Sequence, residues 1–257
     1  MCGVVGIVAK QSVNQEIYNA LTVLQHRGQD SSGIMTDDNG VLCQRKSNGL
    51  VADVFTNKHM LQLRGNIGIG HVRYPTAGSL SEVEAQPFYV NAPFGICLAH
   101  NGNLVNAEQL RNHLELIDRR HLNTESDTEA LLNLFAHELQ KIYIKDLTPK
   151  EIFQAVRGVF EKSSGGYAVI SMILNEGLVA FRDPNAIRPL VIGTRESNQG
   201  TEYMIASESV ALDVLGYTIL RDVLPGEAIY IDTDGNFYSH QCVQARSYTP
   251  CIFEFVY

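Results

Sequence analysis

Four short stretches of this 257-residue chain carry residue types that can do chemistry together. Cys2 comes first. If an aminopeptidase removes Met1, Cys2 holds a thiol and a free α-amine on one residue, a nucleophile with its own base. That amine, with an ordinary pKa of roughly 7.7–8, stays partly neutral near physiological pH. Arg73 ends the apolar run Gly65 to Val72 and offers a planar, always-charged fork suited to a carboxylate. Asn101-Gly102 follows the run Phe94 to Ala99, where a side-chain amide and a backbone N–H can both face a developing oxyanion. Asp127 lies in the first turn of a helix that Ser126 opens and suits an ammonium group. Each has a plainer reading: a small buried thiol, a surface ion pair, a turn, a carboxylate placed by the helix dipole. The set carries the argument, because hydrolysis of a free amino acid's side-chain amide needs a nucleophile, an oxyanion pair, a carboxylate fork and an ammonium partner. A fifth stretch, Gln25 to Gly33, is polar and glycine-punctuated, a helix end and turn whose backbone can line a pocket.

The elements that must hold these groups follow from periodicity. Val4 to Val8 reads as a buried strand behind Cys2. Asn14 caps a helix with Ile17, Leu21 and Leu24 on one face, ended by Gly28 in the left-handed conformation. Gly33 to Thr36 and Val41 to Arg45 form a hairpin around Asn39-Gly40. The glycines at 65, 68 and 70 imply close backbone approach. A short helix spans Asn106 to Leu116, and Ser126-Asp127-Thr128-Glu129 matches a capping box before a longer one. Pro149 opens a third, with Ile152, Val156, Val159 and Phe160 inward. Strands return at Tyr167 to Leu174, Leu178 to Arg182, Leu190 to Thr194 and Tyr203 to Ala206. A short helix after Ser207 and a hairpin around Asp234-Gly235 close the pattern. Strands, central helices, then strands again predict an α+β domain of two packed sheets under helices.

Composition narrows the function classes. A net charge of −8 argues against a nucleic-acid partner. No apolar run approaches the ~20 residues of a membrane span, and the start lacks a secretory pattern. Five scattered cysteines give neither a disulfide framework nor a zinc motif, so a reducing cytoplasm and no metal are expected. The apolar run Cys251 to Tyr257 stops without a turn or polar tail and looks cut rather than finished.

Cys2-Gly3-Val4-Val5-Gly6, His26-Arg27-Gly28-Gln29-Asp30, Gly70-His71-Val72-Arg73, His100-Asn101-Gly102 and Ser126-Asp127-Thr128-Glu129 resemble the glutaminase domain of class II glutamine amidotransferases, which are N-terminal nucleophile hydrolases. Leu24 to Gly33, Ile69 to Gly78, Arg182 to Leu190, Ser207-Glu208-Ser209, Arg221 to Glu227 and Cys251 to Tyr257 are similar to the bacterial branch that acts on phosphoribosylpyrophosphate at the entry to purine synthesis. The resemblance implies a four-layer αββα sandwich over residues 1–240, with 241–257 beginning a connection into a phosphoribosyltransferase domain absent from this sequence. It implies Cys2 as nucleophile, Asn101 and Gly102 as oxyanion hole, and Arg73 and Asp127 as clamps on L-glutamine. The loop Tyr74 to Ser79, with Tyr74 and Thr76, would close over that substrate, and Arg27 and Gly28 would line the pocket. It further implies that this chain alone is at most a glutaminase and needs no cofactor. Phosphoribosylpyrophosphate, magnesium and homo-oligomeric assembly belong to the full-length enzyme. Two other readings stand beside it: an aminosugar- or asparagine-forming member of the class, or an inactive glutamine-binding module if Met1 is retained. Ala186 departs from the glycine common at that position in related sequences. Cys251 matches an iron–sulfur ligand of some members, with no partner ligands here to assign a cluster.

Overall fold

The computed structural model describes residues 1–74, 82–142 and 147–256. Thr76, Ser79 and Tyr257 therefore lie outside the described residues, as does most of the expected closing loop. The α+β expectation holds, and the layers are those of an αββα sandwich. One sheet has seven strands in the order β11-β9-β10-β1-β4-β2-β3, made of Thr218–Asp222, Val191–Ser197, Gly200–Ala206, Gly3–Val8, Ile67–Arg73, Ser31–Asp38 and Val41–Asn48. The other has six in the order β13-β12-β8-β7-β6-β5, made of Phe237–Gln241, Glu227–Asp232, Gly177–Arg182, Gly165–Ile173, Ile96–Leu104 and Phe88–Val90. The registered strand pairs are antiparallel.

Three apolar clusters fill the four layers. Helix α1 (Asn14–Val23), the short α2 (Val51–Val54) and α7 (Ser209–Val214) cover the outer face of the first sheet through Ile17, Leu21, Val51 and Leu212. Helices α4 (Ala107–Leu116), α5 (Asp127–Lys141) and α6 (Pro149–Lys162) cover the second through Leu114, Leu131, Phe135, Val156 and Phe160. Between the sheets pack Val4, Val8, Ile69, Ala99, Ile170 and Ile205. β1 is central in its sheet and buried along its whole length, which is why its sequence is a continuous apolar run. A Cβ on Gly68 or Gly70 would lie 2.7 or 2.5 Å from the Ile17 side chain, so these glycines let α1 sit down on β4.

Several local readings are corrected. Gly28 is extended, at φ −168°, not left-handed. Its lack of a side chain matters because a Cβ would lie 2.4 Å from the Arg73 carbonyl carbon. His100 to Asn103 is no turn: β6 runs through it to Leu104, held in register by β7 from Ile96↔Ile173 to Leu104↔Gly165. The box at Ser126 is half formed. Ser126 accepts from Thr128 N at 3.3 Å, while Glu129 turns away to accept from the backbone of Asn123 and Thr124 at 2.9 and 2.7 Å. Val13 takes the cap position expected of Asn14, whose Oδ1 accepts from Gln15 N. The hairpin at Asn39-Gly40 stands, with φ of 52° and 83°. Two short helices, α2 and α3 (Asn57–Gln62), were not legible because one or two turns carry too little periodicity.

Candidate active site

β1 begins at Gly3, so Cys2 projects from the end of the central strand into a cleft of about 200 Å³. Cys2, Arg73, Tyr74, Glu84, Gln86, His100, Gly102 and Asp127 are among its lining residues. That volume is below the roughly 300–1,000 Å³ of sites for drug-sized ligands and fits a molecule the size of one amino acid. The cleft draws on both sheets and one helix start: β1 and β4 on one side, β6 and the first turn of α5 on the other. Of the residues singled out in the sequence, Cys2, Arg73, Tyr74, Gly102 and Asp127 meet there.

Asn101 joins them through Cys2. Its Oδ1 accepts from Cys2 N at 3.2 Å, which turns its amide nitrogen the other way. That nitrogen, Nδ2, is buried without a partner in the structure. A buried donor left unpaired costs about 1–3 kcal/mol, so this amide is set to receive an acceptor from outside the protein. Gly102 comes next on the strand. His100 N donates to Gln86 Oε1 at 2.8 Å and Leu104 N to Asp127 Oδ2 at 3.0 Å. Alternation along the strand points the Gly102 N–H to that same edge, between them.

His100 shapes the floor. Its Nδ1 meets Thr128 Oγ1 at 2.7 Å, its Nε2 lies 3.7 Å from Asp127 Oδ2, and Nε2 has no hydrogen-bond partner. His71, fully buried on β4, reaches the His100 carbonyl at 3.3 Å and so ties the two sheets together beneath the cleft. Burial pushes the His71 pKa down to about 3, and lowers that of His100 despite the Asp127 carboxylate. Both are neutral at physiological pH. Burial raises the Cys2 thiol, against its contact with the Tyr74 backbone and the positive charges of the Met1 amine, Arg73 and Arg27. The thiol therefore keeps its proton until a base takes it.

Arg73 is not an open fork. Only 7% exposed, it donates to Asp30 Oδ2 at 2.8 Å and to Glu84 Oε2 at 2.6 Å. Neither carboxylate was assigned a role from sequence, because a lone Glu or Asp gives no sign of which arginine it will meet. Arg27 and Gly28 stand apart from the cleft. Arg27, 1% exposed, lies behind the nucleophile, where its Nε donates to the Cys2 carbonyl at 2.9 Å. Gly28 borders a shallower depression with Gln29, Asp30 and Tyr74. Among the described residues no cluster of His, Cys, Asp and Glu could hold a metal ion, and no helix is long and apolar enough to cross a membrane.

This cysteine cleft in a two-sheet sandwich has counterparts in known proteins. The chain belongs to the glutamine amidotransferase domain family, whose model matches residues 71–214. Over 257 residues it is 61% identical to an amidophosphoribosyltransferase of Pseudomonas aeruginosa, covering 100% of this chain and 51% of the relative. The Escherichia coli amidophosphoribosyltransferase is 58% identical, again with 100% and 51% coverage. A solved glutamine phosphoribosylpyrophosphate amidotransferase from B. subtilis, complexed with ADP and GMP, superposes with a TM-score of 0.84 at 35% identity, covering 100% of this chain and 52% of its own. The chain thus spans about half the length of the relatives it matches.

Proposed function

We propose that this chain is the glutaminase half of an amidophosphoribosyltransferase, releasing ammonia from glutamine for the first step of purine synthesis. The observation that carries it is Asn101, which holds the Cys2 nitrogen through its oxygen while its buried amide nitrogen has no partner. With Met1 removed, the Cys2 nitrogen is a free amine. It takes the thiol proton, directly or through a water, and the thiolate attacks the δ-carbonyl carbon of glutamine. The carbonyl π electrons move to oxygen, which Asn101 Nδ2 and Gly102 N–H receive. Collapse expels the amide nitrogen, which leaves as ammonia carrying the proton from the Cys2 ammonium. The same amine then deprotonates a water, which attacks the thioester. Glutamate leaves and the thiol is restored.

In this reading Asp127 faces the α-ammonium and Arg73 the α-carboxylate. Because Glu84 lines the cleft while holding one arm of Arg73, the incoming carboxylate competes with Glu84 for that arm. Tyr74 borders the substrate. Arg27 and Gly28 are given no contact with glutamine: Arg27 supports Cys2 from behind, and Gly28 makes room for the Arg73 backbone. Residues 1–240 form the glutaminase unit and 241–257 lead toward the phosphoribosyltransferase part. Capture of phosphoribosylpyrophosphate and its magnesium is assigned to sequence outside these 257 residues, as is the homo-oligomeric contact of a cytoplasmic enzyme. The glutaminase unit itself is assigned no cofactor. The test is direct. Protein lacking Met1 should convert glutamine to equal amounts of glutamate and ammonia, and Cys2→Ala should not. Equal turnover by both proteins would refute the assignment.

A further inference from the structure

Behind Cys2, away from the cleft, lies a second set of buried and half-buried charges that the proposed chemistry does not use. Arg27 has its remaining arms fixed by two carboxylates: Nη1 donates to Glu208 Oε1 at 2.5 Å and Nη2 to Glu254 Oε2 at 2.6 Å. The other oxygen of Glu254 accepts from Arg188 Nη1 at 2.9 Å. The Glu254 side chain, 5% exposed, thus bridges two arginines, one of which holds the carbonyl of the nucleophile. Glu254 arrives on a turn, Ile252–Phe255, far from Cys2 in sequence. The segment before that turn is strapped to the loop after β8: Arg246 N donates to Pro184 O, Thr249 N to Asn185 O and Cys251 N to Ile187 O, at 2.9, 2.9 and 3.0 Å. That loop is braced in turn by Arg182, which donates to the Ala186 and Val223 carbonyls at 3.0 Å each.

We propose that Glu254 is a positioning residue for the nucleophile, fixing Arg27 and through it the Cys2 carbonyl, so that the last turn of the chain governs how the thiol and amine face the cleft. This rests on the reading of Cys2 as nucleophile. The physical case is one of degrees of freedom. Arg27 held at Nε, Nη1 and Nη2 has one orientation. Without Glu254 it keeps two anchors and can swing about them. A displacement of ~1 Å in a reacting group costs on the order of 10²-fold in rate. The charges facing the Cys2 thiol are Arg73 from β4 and Arg27 from the turn after α1, while Arg27, Arg188 from the loop before β9 and Glu254 face the amino terminus beside it, and Glu208 at the start of α7 pairs with Arg27. Removing the negative charge of Glu254 leaves the arginines less compensated, which favours thiolate and neutral amine.

The test uses the chain with Met1 removed and the variants Glu254→Gln and Glu254→Asp. Two readouts are taken: kcat and KM for glutamine, and the pH dependence of Cys2 alkylation by iodoacetamide, which needs no glutamine. Glu254→Gln should lower kcat by about tenfold or more with KM within about twofold, and move the alkylation profile down by about half a pH unit or more. Glu254→Asp, which keeps the charge, should recover part of kcat and return the profile toward the parent's. If Glu254→Gln does not fold, Glu254→Asp must still show a lowered kcat at unchanged KM; parental kcat there overturns the proposal. A Glu254→Gln alkylation profile that superimposes on the parent's also overturns it. A parent protein that alkylates normally but hydrolyses no glutamine defeats the functional reading instead, and the alkylation profile still decides the role of Glu254.

Discussion

Arg73 and Arg27 both flank Cys2, both are nearly buried, and each is bridged by two carboxylates. Their surroundings differ. Arg73 lines the cleft beside Glu84, so one of its partners sits where a ligand's carboxylate would arrive. Arg27 does not line that cleft: with Glu208 and Glu254 it borders a separate cavity of about 190 Å³ behind Cys2, and its three anchors, the Cys2 carbonyl, Glu208 and Glu254, come from three separate segments. A buried ion pair broken from one side leaves a stranded charge and costs about 3–5 kcal/mol, so such pairs hold position well. The same motif of one arginine and two carboxylates therefore stands beside the substrate's place in one case and behind the nucleophile, tied to its carbonyl, in the other.

The sharpest way to break this contrast is to replace each arginine in turn. Arg73→Ala should raise KM for glutamine by about tenfold or more, since the charge-assisted hydrogen bond from the exchanged arm, about 1.5–3 kcal/mol, is lost. Arg27→Lys, which keeps the charge and loses the fork, should instead lower kcat with KM nearly unchanged. Steady-state kinetics separate the two. If both variants move KM alone, the division between recognition and support is wrong.

A smaller effect probes the floor beneath the cleft. His71 stays neutral down to about pH 3 because it is buried, whereas in the unfolded chain it binds a proton near pH 6.5. Between those values the unfolded state holds the extra proton, so stability falls as pH drops. The slope approaches 1.4 kcal/mol per pH unit, about that for each such histidine. His100 is lowered in the same direction. Denaturant midpoints between pH 6.5 and 5, above the carboxylate range, should fall, and His71→Asn should flatten that fall. A pH-independent midpoint would contradict the buried neutral pair.

The smallest prediction concerns the loop to which the last segment is strapped. Ala186 is buried at φ 51°, a left-handed position that glycine adopts at lower cost. Ala186→Gly should relieve strain of about 1–2 kcal/mol, partly offset by the greater freedom of glycine when unfolded. The net gain in thermal stability should not exceed about 1 kcal/mol, and a clear loss would mean that Ala186 is unstrained.

Much of this was legible from residues near one another in sequence. The apolar run behind Cys2, the Asn39-Gly40 turn, the helix opened at Ser126 and the cleft residues Arg73, Gly102 and Asp127 declare themselves within a few positions. His100 to Asn103 misled because Asn-Gly favours turns, and only pairing with β7 overrides that preference. Gly28 misled because its constraint is the Arg73 backbone, 45 positions away in the chain. Glu84, Glu208 and Glu254 were silent for the same reason: a carboxylate's partner is fixed by tertiary packing. Arg27, expected from its motif to line the pocket, is held behind Cys2 by partners that only the fold brings to it.

The central claim is that Cys2, once it is the terminal residue, is a nucleophile facing a formed glutamine cleft. The intact mass of the purified chain before and after a glutamine-analogue diazo-ketone tests it most directly. The expected result is a mass lacking Met1, a single adduct, and that adduct on Cys2. A chain lacking Met1 that takes up no label, or carries it on Cys43, Cys97, Cys242 or Cys251, would contradict the account.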